Sequence, residues 1–220
     1  MSRNRLSSPE RKAVILEAAR KVFSNHGFDA ARTQDIAKGA GVSEALMYRH
    51  FPSKEALYRA VLRQTIREQN ANHAMLILTE PTARGVIQRI GTYFDIAASN
   101  NFPRIKEGFR LLLASLAGDG SFASLVYRRA LRMSLSATAR ALNAAREAGD
   151  LDGTMIEPAN TSMFIEHVGT MLNTVIALPG GLRPYQGTGE QIARDATRFC
   201  CRGLGFSDAM IDRCLELPAP

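Results

Sequence analysis

Residues 32–58 constrain the fold more than any other part of this chain, because they spell two short helices, a tight turn and a stop. Thr33 is placed to N-cap the first helix. Ile36, Ala37 and Ala40 give that helix an apolar face at i, i+1 and i+4. Gly41 supplies a turn residue that tolerates positive φ. Ser43 is placed to cap the second helix, on which Met47 and Phe51, four apart, share a side with Val42. Pro52 stops that helix, since its ring disfavours the α conformation at Phe51. Ser53 then caps a longer helix. Two helices at a steep angle, joined by a glycine-containing turn, make a helix-turn-helix. Its second helix is the one that enters a DNA major groove.

In such a helix the N-terminal residues face base edges, and here they are Ser43, Glu44, Ala45 and Leu46. Glu44 can accept from cytosine N4, Ala45 or Leu46 can touch a thymine methyl, and Ser43 is permissive. The alternative for Glu44, repelled by phosphates, is a charge at a helix N-terminus. Arg49 then becomes the stronger candidate for a base or phosphate contact. His50, beside Phe51 and Pro52, either contacts DNA or packs. Lys54 opens a helix whose free N–H groups attract anions. Arg3 and Arg5 precede the first helix, either trailing into a minor groove or standing in solvent. The charge supports this reading. Residues 1–68 carry 13 Lys and Arg against 7 Asp and Glu, while residues 69–220 carry 15 against 14. A local basic excess is what a phosphate-binding surface needs.

The same residues resemble the DNA-binding core of the TetR (tetracycline-repressor-like) family of bacterial transcription regulators. The pattern is Thr33, Asp35-Ile36-Ala37, Ala40-Gly41-Val42-Ser43, Tyr48-Arg49-His50-Phe51 and Ser53-Lys54-Glu55-Ala56-Leu57. Before it come Ile15-Leu16, Ala18-Ala19, Val22-Phe23 and Gly27-Phe28. The resemblance covers residues 9–67 and stops there. It implies base contacts at Glu44 and Ala45, and phosphate contacts at Thr33, Tyr48, His50 and Lys54; Arg32 joins this DNA-contacting set. Two features depart from the commoner family pattern: Glu44 stands where Lys or Arg is frequent, and Ala45-Leu46 replaces a frequent Gly-Thr. The resemblance also implies a homodimer on double-stranded operator DNA and a small apolar or amphipathic ligand. The implied mechanism is a repressor that the ligand releases, with a ligand-independent regulator or an activator as the alternative.

The expected architecture is all-α: a helix-turn-helix domain over residues 1–52, then a connecting helix and a larger helical body over 53–220. Ser8 caps the first helix with Pro9 at N1, and Gly27 ends it with Phe28 as the C-cap contact. The fourth helix runs from Lys54 to about Leu76. Pro and Gly then punctuate further helices at Arg84–Ala98, Pro103–Leu116, Phe122–Ala148, Pro158–Leu178, Glu190–Leu204 and Ser207–Leu215. No segment alternates with the period of a strand.

Candidate ligand-contacting residues are Phe94, Phe109, Leu112, Leu116, Met133, Met163, Phe164, His167 and Met171, though each taken singly reads more readily as filled core. His167 and Asn173 are polar on a mostly apolar helix and require partners. Dimerisation is expected on Pro158–Leu178 and Glu190–Leu204, where Ala159, Gly169, Ala177, Ala193, Ala196 and Gly203 allow close approach. No HExxH, nucleophile elbow, P-loop or GxGxxG occurs, so neither an enzyme nor any cofactor or metal site is expected. Cys200, Cys201 and Cys214 lack CxxC spacing and read as reduced thiols. The charged N-terminus has no apolar run behind it, and the run Met163–Leu178 is too short to span a bilayer, so a soluble, cytoplasmic protein is expected.

Overall fold

The structure, a computed structural model, describes residues 6–73, 81–99, 103–176 and 184–216, with the side chains of 71–73, 103, 133 and 134 outside that set. The described residues form ten helices and no strand: α1 (Ser8–Ala30), α2 (Thr33–Gly39), α3 (Glu44–His50), α4 (Lys54–His73), α5 (Ala83–Ala98), α6 (Pro103–Leu116), α7 (Ser121–Glu147), α8 (Pro158–Ile176), α9 (Gly189–Gly203) and α10 (Asp208–Glu216). Several ends fall one residue from the positions the Pro and Gly punctuation indicates. Residues 74–76 and 177–178, expected to complete α4 and α8, lie outside the described residues.

Two compact units divide the chain. One is Met1–Ala71 with Glu107–Ser124, the other Asn72–Lys106 with Leu125–Pro220. The division expected at residue 52 falls inside the first unit, for a reason visible in α1 and α4. Arg20 of α1 is 1% exposed, and its Nη1 and Nη2 lie 2.5 and 2.8 Å from the Glu68 carboxylate of α4. Gln64 donates to the same carboxylate. This bidentate, charge-assisted pair fastens α4 to α1 four turns beyond the start of α4.

The rest of the first unit is built from caps and aromatic packing. Ser7, not Ser8, caps α1: its hydroxyl accepts from the Glu10 amide while the Glu10 carboxylate accepts from the Ser7 amide at 2.7 Å. Only Ser7 places Glu10 at the third helical position, which a capping box requires. Gly27, at φ 72°, breaks the α geometry as expected. The chain then turns Phe28 onto Tyr58, with ring centroids 4.9 Å apart, and Phe23 meets the same Tyr58 edge-on at 4.9 Å. Ser115 at the end of α6 accepts from the amides of Phe122 and Ala123, satisfying free donors at the start of α7.

In the second unit α5 is the axis of the core. Val86, Ile87, Ile90, Phe94 and Ala97 are buried along it, with Leu142 and Ala145 of α7, Leu172 of α8, Ala193 and Cys201 of α9 and Ile211 of α10 in the same cluster. Tyr93 lies against Gly169 so closely that a Cβ there would sit 2.3 Å from the ring. Gly169 and Ala193 therefore face the core, and their small size serves packing inside the unit. Asn173, buried on α8, donates through Nδ2 to the Ala97 carbonyl at 2.8 Å, meeting an orphan acceptor at the end of α5. His167 finds the Tyr127 hydroxyl 3.1 Å away.

Candidate nucleic-acid interface

The turn between α2 and α3 is made by backbone bonds that leave little freedom. The Ala40 amide bonds to the Ile36 carbonyl, Gly41 to Lys38 and Val42 to Ala37. Gly41 takes φ 64°, with open space where a Cβ would point. Its requirement is conformational, because L side chains resist that φ. Behind the turn Ile36, Ala37, Met47 and Phe51 are buried, as are Ile15, Ala19 and Phe23 of α1. Ser43 caps α3 by accepting from the Leu46 amide at 3.2 Å, and Ser53 caps α4 through the Ala56 amide at 3.1 Å.

With that face buried, the opposite face of α3 presents Ala45, Tyr48 and Arg49, all exposed and spaced i, i+3, i+4. Arg32 and Lys38 of the neighbouring segment are exposed too, while Ser43 is exposed at the cap and Leu46 and His50 are half-buried.

Three expected contact residues are already engaged. Thr33 is not the N-cap of α2; Arg32 holds that position without a side-chain cap. The Thr33 hydroxyl instead donates to Glu44 Oε1 at 2.7 Å. This bond ties the first residue of α2 to the first residue of α3 and turns Glu44 back into the protein, half-buried. Of the two readings of Glu44, this geometry favours the helix-terminal charge over cytosine readout. Lys54 donates to the Asp29 carbonyl at 3.1 Å, and its Nζ stands 4.8 Å over the Phe28 ring. Its stem is thus fixed against the end of α1, with two donor hydrogens remaining.

The residue pattern of the bacterial regulatory proteins of the tetR family matches residues 15–61, the span from α1 into α4 that this geometry occupies. Residues 15–61 thus carry the DNA-binding pattern of the tetR family. The chain is 46% identical over 110 residues to the HTH-type transcriptional activator FasR of Mycolicibacterium smegmatis, covering 50% of this chain and 48% of that one. It is 52% identical over 64 residues to the HTH-type transcriptional regulator RutR of Escherichia coli, covering 29% of this chain and 30% of RutR. The match thus spans about half the length of one relative and under a third of the other. The fold extends further. A tetR-family regulatory protein from Rhodococcus RHA1 superposes with a TM-score of 0.67 at 20% identity, over 92% of this chain and 100% of its own. The ketosteroid transcriptional regulator KstR2 of Mycobacterium tuberculosis gives 0.63 at 19%, over 92% and 98%.

The residues singled out for ligand contact are not gathered into one enclosed wall. Phe94 is core, fully buried on α5. Leu112 is buried on α6, Phe109 is half-buried, and Leu116 is 49% exposed. On α8, Met163 is half-buried, while Phe164 and Met171 are 57% and 50% exposed and His167 is exposed beside them. The side chain of Met133 lies outside the described residues. Phe164 and His167 instead help line a groove of about 1170 Å³ between α8 and α9, with Ile165, Val168 and Leu204 as apolar lining. Phe199, 72% exposed, stands at this groove. Arg202 bonds Asp208 at 2.6 and 2.8 Å along its rim, and Arg198 pairs with Asp212. Burial pushes the Cys200 thiol up to about 11 and Cys201 higher still, so both are protonated, weak nucleophiles at neutral pH.

Three features escape the sequence reading, the first and last without any mark in it: the Arg20–Glu68 clamp, the Tyr93–Gly169 contact and the exposed Phe199. Arg20 sits among apolar neighbours on α1, so only the fold reveals that it is buried. Gly169 within an apolar helix was the one available signal, since an internal glycine costs helix stability and calls for a packing reason.

Proposed function

We propose that this protein is a sequence-specific transcriptional regulator that binds duplex operator DNA as a homodimer and answers to a small-molecule ligand. The observation that carries the reading is the outward face of α3. A tetR-family helix-turn-helix presents Ala45, Tyr48 and Arg49 to solvent, flanked by Arg32 and Lys38. Arg49 is the residue with the reach and the fork to read guanine O6 and N7. Tyr48, His50 and Lys54 serve the phosphates, and Ala45 and Leu46 suit a thymine methyl. Thr33 and Glu44 act by holding α2 and α3 at a fixed angle.

The dimer forms on the outward faces of α8 and α9, where Phe164, Met171 and Phe199 are exposed together with the groove between the helices. Large exposed apolar side chains grouped in this way mark an interaction surface. The ligand site lies in the helical body. Ligand binding changes the spacing of the two recognition helices and so releases the operator, as a repressor requires. Activation is the second reading, favoured by the activator FasR, 46% identical over 110 residues. Either role places the protein, soluble, in the cytoplasm with its DNA; among the described residues no single helix is long and apolar enough to cross a membrane.

The test is selection of half-sites from randomised duplexes, followed by a salt titration. With three to five phosphates neutralised per protomer, the slope of log K on log salt is about −5 to −9 for the dimer. A slope near zero ends the reading. Phe199→Glu should leave a monomer in light scattering.

A further inference from the structure

Taking a guanidinium out of water is costly, and the cost is recovered only where a counter-charge and hydrogen bonds meet it. Arg89 on α5 is half-buried, and the part of its guanidinium that is cut off from solvent lacks that compensation. Its Nη2 donates to Oγ1 of Thr138 on α7 at 2.9 Å, a neutral acceptor. Its Nε is shut away from solvent and meets no acceptor among the described residues. No carboxylate among them pairs with it. Glu166, whose carboxylate accepts from Tyr93 one turn further along α5, is in the field of Arg129 instead. Desolvation alone pulls the Arg89 pKa below its ordinary value, and no acid opposes it. The neighbours of Arg89 on its own helix, Val86 and Ile90, are buried and apolar.

We infer that Arg89, with Thr138, is the head of a ligand site, and that it takes an oxyanion, a carboxylate or phosphate, borne on an apolar body. The planar fork of Arg89 has an unmet Nε–H and matches the oxygen pair of such a group. The buried apolar residues beside it favour a hydrocarbon tail over a polar one. This deepens the ligand-responsive reading and rests on it for its purpose.

The experiment uses the full-length protein with three probes of equal chain length: octanoate, octyl phosphate and octanol. Isothermal titration should show at least one oxyanion binding about tenfold or more tightly than octanol, a difference of about 1.4 kcal/mol. Which oxyanion binds tells carboxylate from phosphate. Arg89→Met should remove that preference. It should also melt no lower than the parent without ligand, because an unpaired, half-buried charge has been replaced by an apolar chain of similar length. Thr138→Val gives the same binding readout should Arg89→Met fail to fold, and should weaken the oxyanion while leaving octanol unchanged. Equal binding of octanoate and octanol, no binding of either oxyanion, or a preference that survives Arg89→Met overturns the site. Operator affinity is measured separately. An oxyanion that binds through Arg89 but leaves operator affinity unchanged removes the ligand-release reading and keeps the site.

Discussion

Arg20, buried in the first compact unit, and Arg89, half-buried in the second, are treated oppositely. Arg20 in the first unit meets the Glu68 carboxylate through both Nη atoms. Arg89 in the second meets one threonine hydroxyl. The second unit also buries Thr161 Oγ1 and Asn173 Oδ1 without hydrogen-bond partners among the described residues. The difference separates two kinds of construction. In the first unit, which carries the reading head, the buried charge is neutralised and α1, α3 and α4 carry side-chain caps, while Gln69 Oε1 is left without a hydrogen-bond partner among the described residues. The α3 of that head presents Ala45, Tyr48 and Arg49 from a turn fixed by backbone bonds, as the proposed base readout requires. The second unit carries more buried polar groups without hydrogen-bond partners among the described residues, which is the observation on which the proposed ligand response rests.

The largest effect should come from breaking the paired arginine. Arg20→Met leaves Glu68 without its cation and should cost about 3–5 kcal/mol, toward the lower end because Glu68 is 35% exposed. Chemical denaturation followed by helical circular dichroism reads this. Arg20→Met combined with Glu68→Leu should recover most of the loss, since removing both charges avoids the orphan. If Arg20→Met and Arg89→Met proved equally destabilising, the contrast between the two units would be gone.

Next in size is Gly169→Ala. The new methyl would lie 2.3 to 2.5 Å from the Tyr93 ring, so the ring or α8 must move, at about 1–3 kcal/mol. Gly169→Ala should cost much less in a Tyr93→Leu background, where the ring is absent. Equal costs in both backgrounds would mean that Gly169 is needed for some other reason.

The reading head should show the reverse pattern, with DNA effects at unchanged melting temperature. Arg49→Ala should lose about 1–3 kcal/mol of discrimination at one base pair. Lys54→Ala should weaken all sequences alike. Glu44→Gln should leave the selected consensus unchanged, because its carboxylate is held by Thr33. A shifted consensus would return Glu44 to base readout.

The contrast also explains what the sequence made legible. Caps, turn glycine and prolines act within a few residues, so α2, α3, their turn and the helix ends could be read directly. The Thr33–Glu44 bond spans 11 residues and the Arg20–Glu68 pair 48. Neither has a local signature, and Thr33 was accordingly read as a cap. In the second unit the contacts that decide matters join residues further apart, as Tyr93 to Glu166 and Asn173 to Ala97. Helical periodicity locates an apolar stripe there without saying whether it faces a core, a groove or a partner. Phe164 and Met171 were therefore legible as apolar and illegible as exposed.

The smallest expected effect is on pH dependence, and its sign differs between the units. In the first, the Ser7 hydroxyl and amide hold the Glu10 carboxylate below its usual range. A depressed carboxylate stabilises above its unfolded pKa, and that contribution fades as pH falls through the folded value. In the second, burial raises Glu166 against the opposing pull of the Tyr93 hydroxyl and the Arg129 charge. The folded state then binds the proton more tightly than the unfolded chain, whose carboxyl titrates near about 4.3. Stability from this group is present in acid and declines as pH rises from that value through the folded pKa, after which it is level. Glu166→Gln carries no titrating proton and removes this decline. Denaturation of parent and variant at pH 4, 5, 6 and 7 should show the difference moving steadily in favour of glutamine as pH rises. A difference constant across that range would mean that the Tyr93 and Arg129 interactions cancel the burial at Glu166.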